Sequence, residues 1–245
     1  MFITGRLSGL FLSAPIFTNR QIPVRVKIFI ILTLAAILSY IIPLETSIVD
    51  SPARFIAALI AEIFVGYTFG LVIYVVFAAI QLAGQVMDMQ MGFGIVNVVD
   101  PVSGTQIPLI GNLIQLIALL IYLSINGHHY LLQALAQSYQ VIPVLGLNMQ
   151  GGIVDYIVAL TVQMFVIAVK IAIPVVVAIL TTDVAMGFIA RTVPQMNVFI
   201  VGLPLKILMG LIMLTLMVPI YIWLFQVLFE NFFGYLDQAI ILMGK

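Results

Sequence analysis

From Phe55 to Ala83 the only charged residue is Glu62, from Ile153 to Ile189 the charges are Asp155, Lys170 and Asp183, and from Met196 to Phe229 there is Lys206 alone. Shorter apolar runs cover Ile28–Ile42 and Leu109–Ile125. Soluble domains hold about 25% charged residues; this chain of 245 residues holds 7%, with 64% hydrophobic. So few charges cannot coat a globule in water, and a bilayer or a large protein assembly must cover the rest. In hydrocarbon the backbone must hydrogen-bond to itself, which leaves helices or closed barrels. The runs lack the alternation of barrel strands, so an all-α membrane protein is expected.

Run lengths add a second constraint. As one helix, residues 55–91 would reach about 55 Å, well past roughly 30 Å of hydrocarbon. Ile153–Ala190 and Met196–Phe229 pose the same mismatch and contain Pro174, Pro204 and Pro219. Interior prolines remove a hydrogen bond and bend a helix. Long kinked helices or helical hairpins are expected, matched in length to an assembly rather than to a lipid slab. Leu7–Phe17 is too short to span. It is expected in the interface, among partner helices, or as the remainder of a chain that once began further upstream; no cleavable signal peptide is evident. Leu131–Val141, with Gln133, Gln137 and Ser138 at helical spacing, reads as a half-exposed helix. The pair Gly151-Gly152 marks the internal boundary, giving parts 1–150 and 151–245.

Several functions are excluded on composition and motifs. Lys+Arg 9 against Asp+Glu 9 leaves no net field to recruit nucleic acid. Cysteine is absent, which removes disulfides and thiolate chemistry. The chain has no H-E-x-x-H, G-x-S-x-G or P-loop. His128 and His129 point about 100° apart on a helix and have no third ligand nearby in sequence, so they read as a polar cap at a membrane edge. No catalytic site, metal or cofactor is expected. Arg20, Arg25 and Lys27 suggest a cytoplasmic loop, though Arg54, Arg191 and Lys206 do not continue the alternation.

The least regular segment follows Gly84. It runs through Gly92, Phe93, Gly94, Ile95, Val96, Asn97, Val98, Val99, Asp100 and Pro101 without a helical period. Irregular backbone at membrane depth is tolerated only where protein buries it or a cavity borders it. The loop is therefore either a plug or constriction or a packed connector. Met87, Met89 and Met91 precede it at every second position; flexible thioethers either seal around a moving chain or fill an apolar contact. Glu62, Asp88, Lys170, Arg191 and Lys206 lie in or beside apolar runs, where an unpaired charge costs about 2.5–3.5 kcal/mol. They suit intersubunit ion pairs or, alternatively, the intramembrane carboxylates of a secondary transporter. No basic residue shares a close helical spacing with Glu62. Gly66 and Gly70 form a G-x-x-x-G close-packing face.

Several strings occur together that resemble the FliR family of flagellar biosynthesis proteins. They are Arg6-Leu-Ser-Gly-Leu-Phe-Leu-Ser-Ala-Pro-Ile-Phe, Ile22-Pro-Val-Arg-Val-Lys, Asp88-Met-Gln-Met-Gly, Val99-Asp-Pro, Asn126-Gly-His-His, Ala190-Arg-Thr-Val-Pro-Gln-Met-Asn-Val-Phe and Gly202-Leu-Pro-Leu-Lys. Members usually carry a longer apolar lead than the Met1–Gly5 that precedes Arg6 here. The resemblance implies a non-enzymatic subunit of the flagellar type III protein export gate. A P-like N-terminal part would be followed by a Q-like C-terminal hairpin, and a plug-like loop would occupy about 92–108. It further implies the P, Q and B components (FliP, FliQ, FlhB), exported flagellar proteins and membrane lipid as partners. The implied location is the bacterial inner membrane at the flagellar basal body, part of the assembly projecting towards the periplasm. Met87, Met89 and Met91 would help seal the lumen. Arg191, Pro194, Gln195 and Asn197 would shape the turn of the hairpin, and Gln195 and Asn197 would join the charged residues in intersubunit polar contacts.

Overall fold

The computed structural model describes residues 1–18, 22–42, 51–94, 108–147, 152–195 and 197–244. All regular structure among them is helical. The order is α1 (Phe2–Ser13), α2 (Pro15–Thr18), α3 (Val24–Ile41), α4 (Pro52–Met91), α5 (Leu109–Ser124), α6 (Gly127–Val141), α7 (Ile153–Thr192) and α8 (Val198–Gly244). Four of these are long and apolar enough to cross a membrane, α3, α4, α7 and most of α8, and α5 with α6 makes a fifth if that bent pair is one span. The protein is thus an all-α membrane protein. Of the long kinked helices or hairpins expected, the structure has long helices: residues 55–91 lie within α4, and α7 and α8 continue through their prolines for 40 and 47 residues.

Helix ends follow local chemistry. At the end of α4 Gly92 has φ 90°. Its N–H donates to the Met89 carbonyl at 3.2 Å and that of Phe93 to the Asp88 carbonyl at 3.0 Å. This paired pattern, with a left-handed glycine just past the helix, satisfies carbonyls that would otherwise be orphaned. Between α5 and α6 Asn126 takes a left-handed φ of 56°, which Asn tolerates better than most residues. The chain bends there by 62°. Gly127 follows because a Cβ would run into the Tyr122 ring. Pro143 ends α6, since the residue before a proline is pushed out of the helical region. Asn197 opens α8, its carbonyl accepting from the Ile200 N–H at 3.1 Å.

The chain forms two compact units. The first comprises Met1–Phe77, Tyr122–Val162 and Val227–Lys245. In it α1 lies against α4 with almost no spacer. A Cβ at Gly66 would fall on the Arg6 carbonyl, one at Gly70 on the Ser13 hydroxyl, and one at Gly9 within 2.7 Å of the Tyr67 nitrogen. The Gly66/Gly70 face therefore receives the chain's own first helix. The short apolar start, expected in the interface or among partner helices, finds its host inside the chain. Small residues let the backbones approach closely enough for dispersion to act over the whole contact. Phe77, Tyr122 and Phe229 close the unit elsewhere, with ring centroids 5.1–5.9 Å apart.

The second unit comprises Ala78–Ile121 and Gln163–Gln226. Here α5 touches α4 at Gly84, where a Cβ would meet Gly111 backbone, and Met91 fills the space above Gly210. The Tyr221 hydroxyl donates to the Ile171 carbonyl at 3.0 Å.

Gly66→Val would drive a branched side chain into backbone that cannot yield. We expect it to destabilise the protein by at least about 1–3 kcal/mol. Gly234 has nothing within 4 Å of an added Cβ, so Gly234→Ala should instead stabilise α8 by about 0.5–1 kcal/mol. Thermal unfolding of both variants in one detergent measures the two; a lower midpoint for both would contradict this packing.

Candidate functional site

Among the described residues of the first unit, a buried charge on α1 meets a buried charge on α4. Arg6 is 0% exposed and Glu62 of α4 is 2% exposed. The guanidinium grips the carboxylate as a fork, Nε to Oε2 at 2.7 Å and Nη2 to Oε1 at 3.0 Å. Nη1 donates to the Ser138 hydroxyl at 2.6 Å and Nη2 also to the Ile142 carbonyl at 3.0 Å. Ile142 follows the last residue of α6, so the cation sits where the helix dipole favours it. The Tyr139 hydroxyl donates to Glu62 Oε2 at 3.0 Å while its ring face lies 3.6 Å from the guanidinium carbon. The Ser138 hydroxyl in turn donates to the Leu135 carbonyl at 2.6 Å. A planar charge paired by a fork and covered by an aromatic face is the geometry in which Arg tolerates burial.

Glu62 thus has its counter-charge inside the chain, and the anticipated partner on another subunit is not what neutralises it. Helical spacing around Glu62 carries no trace of this pair. Arg6 stands 56 positions away, and its signal was that both residues are lone charges in apolar runs. Ser138, expected beside Gln133 and Gln137 on an exposed face, turns inward to the same cluster while the two glutamines remain exposed.

A second polar centre lies in the other unit. Asp88, 6% exposed, accepts from the Ile110 N–H at 3.0 Å and the Gly111 N–H at 3.1 Å, one carboxylate oxygen each. Met87 and Met91 are four apart on α4 and both fully buried, whereas Met89 points the other way and is 74% exposed. On a helix, alternate positions diverge by about 200°, so the three methionines cannot act as one surface. Met89, Gly92, Gly94, Asp183, Met186 and Lys206 line a cavity of about 550 Å³. In its wall Lys206 pairs with Asp183 at 2.7 Å. Both groups are partly exposed, and such pairs contribute at most about 1 kcal/mol in water; Asp183 is the residue that spacing alone did not nominate.

Lys170 is exposed near the middle of α7 and takes part in neither ion pair nor in a hydrogen bond among the described residues. Arg191 is exposed in the last turn of α7 and Pro194 and Gln195 in the turn that follows it, and the Asn197 side-chain oxygen lies 3.4 Å from the Ile200 nitrogen at the start of α8. Of the loop singled out in the sequence, Gly92, Phe93 and Gly94 are described; Ile95, Val96, Asn97, Val98, Val99, Asp100 and Pro101 lie outside the described residues, as does Arg20.

Removing one partner of the buried pair strands the other. Arg6→Ala or Glu62→Ala is expected to cost about 3–5 kcal/mol, while Arg6→Met with Glu62→Leu should recover most of it. Denaturation of the single and double variants reads this directly; an additive double variant would show that the two charges do not act as a pair.

A family model described as bacterial export proteins, family 1, matches residues 1–232. The chain is 41% identical over 212 residues to the flagellar biosynthetic protein FliR of Bacillus subtilis, covering 85% of this chain and 82% of that protein. It is 29% identical over 245 residues to the protein of the same name from Pectobacterium carotovorum, covering 96% and 90%. To that from Escherichia coli K12 it is 28% identical over 238 residues, again 96% and 90%. With a family match running through both units and relatives aligned over most of their length, this chain belongs to the FliR family of bacterial export proteins.

Proposed function

We propose that the protein is a non-enzymatic component of the flagellar type III export gate, seated in the bacterial inner membrane at the basal body. It would contribute helices to the wall through which exported flagellar proteins pass. The observation that carries this is the match to an export family in a chain whose longest helices turn apolar side chains outward. Along α7 and α8, Val158, Val169, Phe188, Leu208, Leu216 and Trp223 are all exposed. These helices would measure about 60 and 70 Å at 1.5 Å per residue, roughly twice a hydrocarbon core. Lipid alone would leave their ends uncovered, whereas neighbouring subunits cover them at any height. The P, Q and B components (FliP, FliQ, FlhB) are the partners this reading assigns, with residues 1–150 as the P-like part and 151–245 as the Q-like hairpin.

In this reading residues 92–108 form the closing segment and Met89 is the methionine that faces the passage. Nothing in the geometry favours the transporter alternative, whose natural carboxylate, Glu62, is already held by Arg6 and Tyr139. Deleting part of 93–107 is expected to let small solutes or ions leak through an assembled complex. Assembly without leakage would demote the segment to a connector. Co-expression tests the wider reading: the chain should be stable with its partners, and a lone, well-behaved monomer in detergent would count against it.

Lys170 extends the same reading. By residue count it lies about 25 Å from the N-terminal end of α7 and about 33 Å from the C-terminal end, in the middle of an apolar helix. Pro174 also deprives the Lys170 carbonyl of its helical N–H, which makes this level of α7 doubly polar. We assign it a carboxylate on a neighbouring subunit. Lys170→Glu would oppose like charges and should lower recovery of the assembled complex tenfold or more, equivalent to about 1.4 kcal/mol, while Lys170→Arg should preserve it. Undiminished recovery with Lys170→Glu would remove the pair.

A further inference from the structure

Helix α5 begins without a cap of its own. Pro108 holds the capping position, since its carbonyl accepts the first intrahelical bond from the Asn112 N–H at 3.0 Å, and a proline side chain has no acceptor to offer. Capping residues normally supply an oxygen to the second or third helical N–H. In α5 those are the N–H groups of Ile110 and Gly111, and both are taken by the Asp88 carboxylate from α4. A carboxylate at a helix N-terminus is further favoured by the dipole. One turn earlier on the same face of α4, Gly84 lets Gly111 approach to backbone contact. The carbonyl of the same Asp88 accepts from Phe93 in the turn that ends α4.

A single residue therefore terminates one helix through its backbone and starts the next through its side chain. We infer that Asp88 is a positioning residue, a tie that holds the first turn of α5 on the last turns of α4 and fixes both ends of the 92–108 connection. Its consequence for export rests on the reading of that connection as the closing segment; the tie itself does not. Ordinary capping by a neighbouring residue would stabilise α5 equally well and leave its position free. An acid on another helix does both. The acidic group matters in full, because two separate N–H donors need two acceptor oxygens. An amide at this position offers one oxygen and turns its own N–H groups on the other donor.

The chain has no cysteine, so labels can be placed at will. Spin labels at Gln85→Cys on α4 and Leu116→Cys on α5, both exposed positions, report the separation of the two helices in the full chain assembled with its partners. The unmutated background should give one narrow distance distribution. Asp88→Ala should broaden it, and Asp88→Asn should do so to a smaller degree, covering the case in which the alanine variant fails to assemble. The decisive variant combines Asp88→Ala with Pro108→Asp, which gives α5 a cap in its usual place. Thermal stability should then return while the distribution stays broad. A narrow distribution in that double variant, or in Asp88→Ala itself, would overturn the tie and leave Asp88 a simple cap. Solute leakage measured on the same complexes tests the other reading separately: broadened distances without leakage uphold the tie and reject the closing segment.

Discussion

The fork between Arg6 and Glu62 is the contact on which the first unit depends. A chain this poor in charge buries a guanidinium completely, and an isolated charge at hydrocarbon depth costs about 2.5–3.5 kcal/mol or more. Pairing, four hydrogen bonds from the guanidinium and an aromatic cover remove that penalty. In doing so they bring positions 6, 62 and 138–142 to one point. The helix α1 is too short to hold itself in an apolar medium by length. It is held by this pair and by the glycine face of α4 that lets it approach, and neither works without the other. Without Gly66 the backbone separation would lengthen the ion pair, and without the ion pair a close apolar contact would not specify which residues face each other.

Helix α4 serves both units in the same way, by presenting small residues and one acid on a narrow stripe. Gly66 and Gly70 with Glu62 receive α1 in its first part, and Gly84 with Asp88 receives α5 near its end. In each case glycine sets the approach and a carboxylate sets the register. The difference lies in what the carboxylate meets. Glu62 meets a full positive charge, whereas Asp88 meets the partial charge of two free amide groups. That second arrangement is weaker, and it stands where the chain leaves regular helix.

Polarity is arranged inside out relative to a soluble domain. Arg6, Glu62, Asp88 and Ser138 find their polar partners in the interior, while large aliphatic and aromatic side chains line the outer faces of α3, α7 and α8. A solvent other than water is required on those faces. α7 and α8 are also far longer than a bilayer is thick.

The helical class, the long continuous runs and most helix ends were legible in the sequence, because each depends on neighbours a few positions apart. Gly92 past the end of α4, Asn126-Gly127 at the bend and Pro143 after α6 act through their own backbone preferences. The ordered motifs also carried the family. What only the tertiary structure decided was which distant groups meet: that Arg6 answers Glu62, that α5 takes its cap from Asp88 across a connection, that Asp183 answers Lys206, and that Met87 and Met91 turn inward while Met89 does not. Helical periodicity is a local property and says which residues share a face. The direction that face points is settled by how close two backbones can come and by which buried charges must be neutralised, and those conditions join residues from opposite parts of the chain.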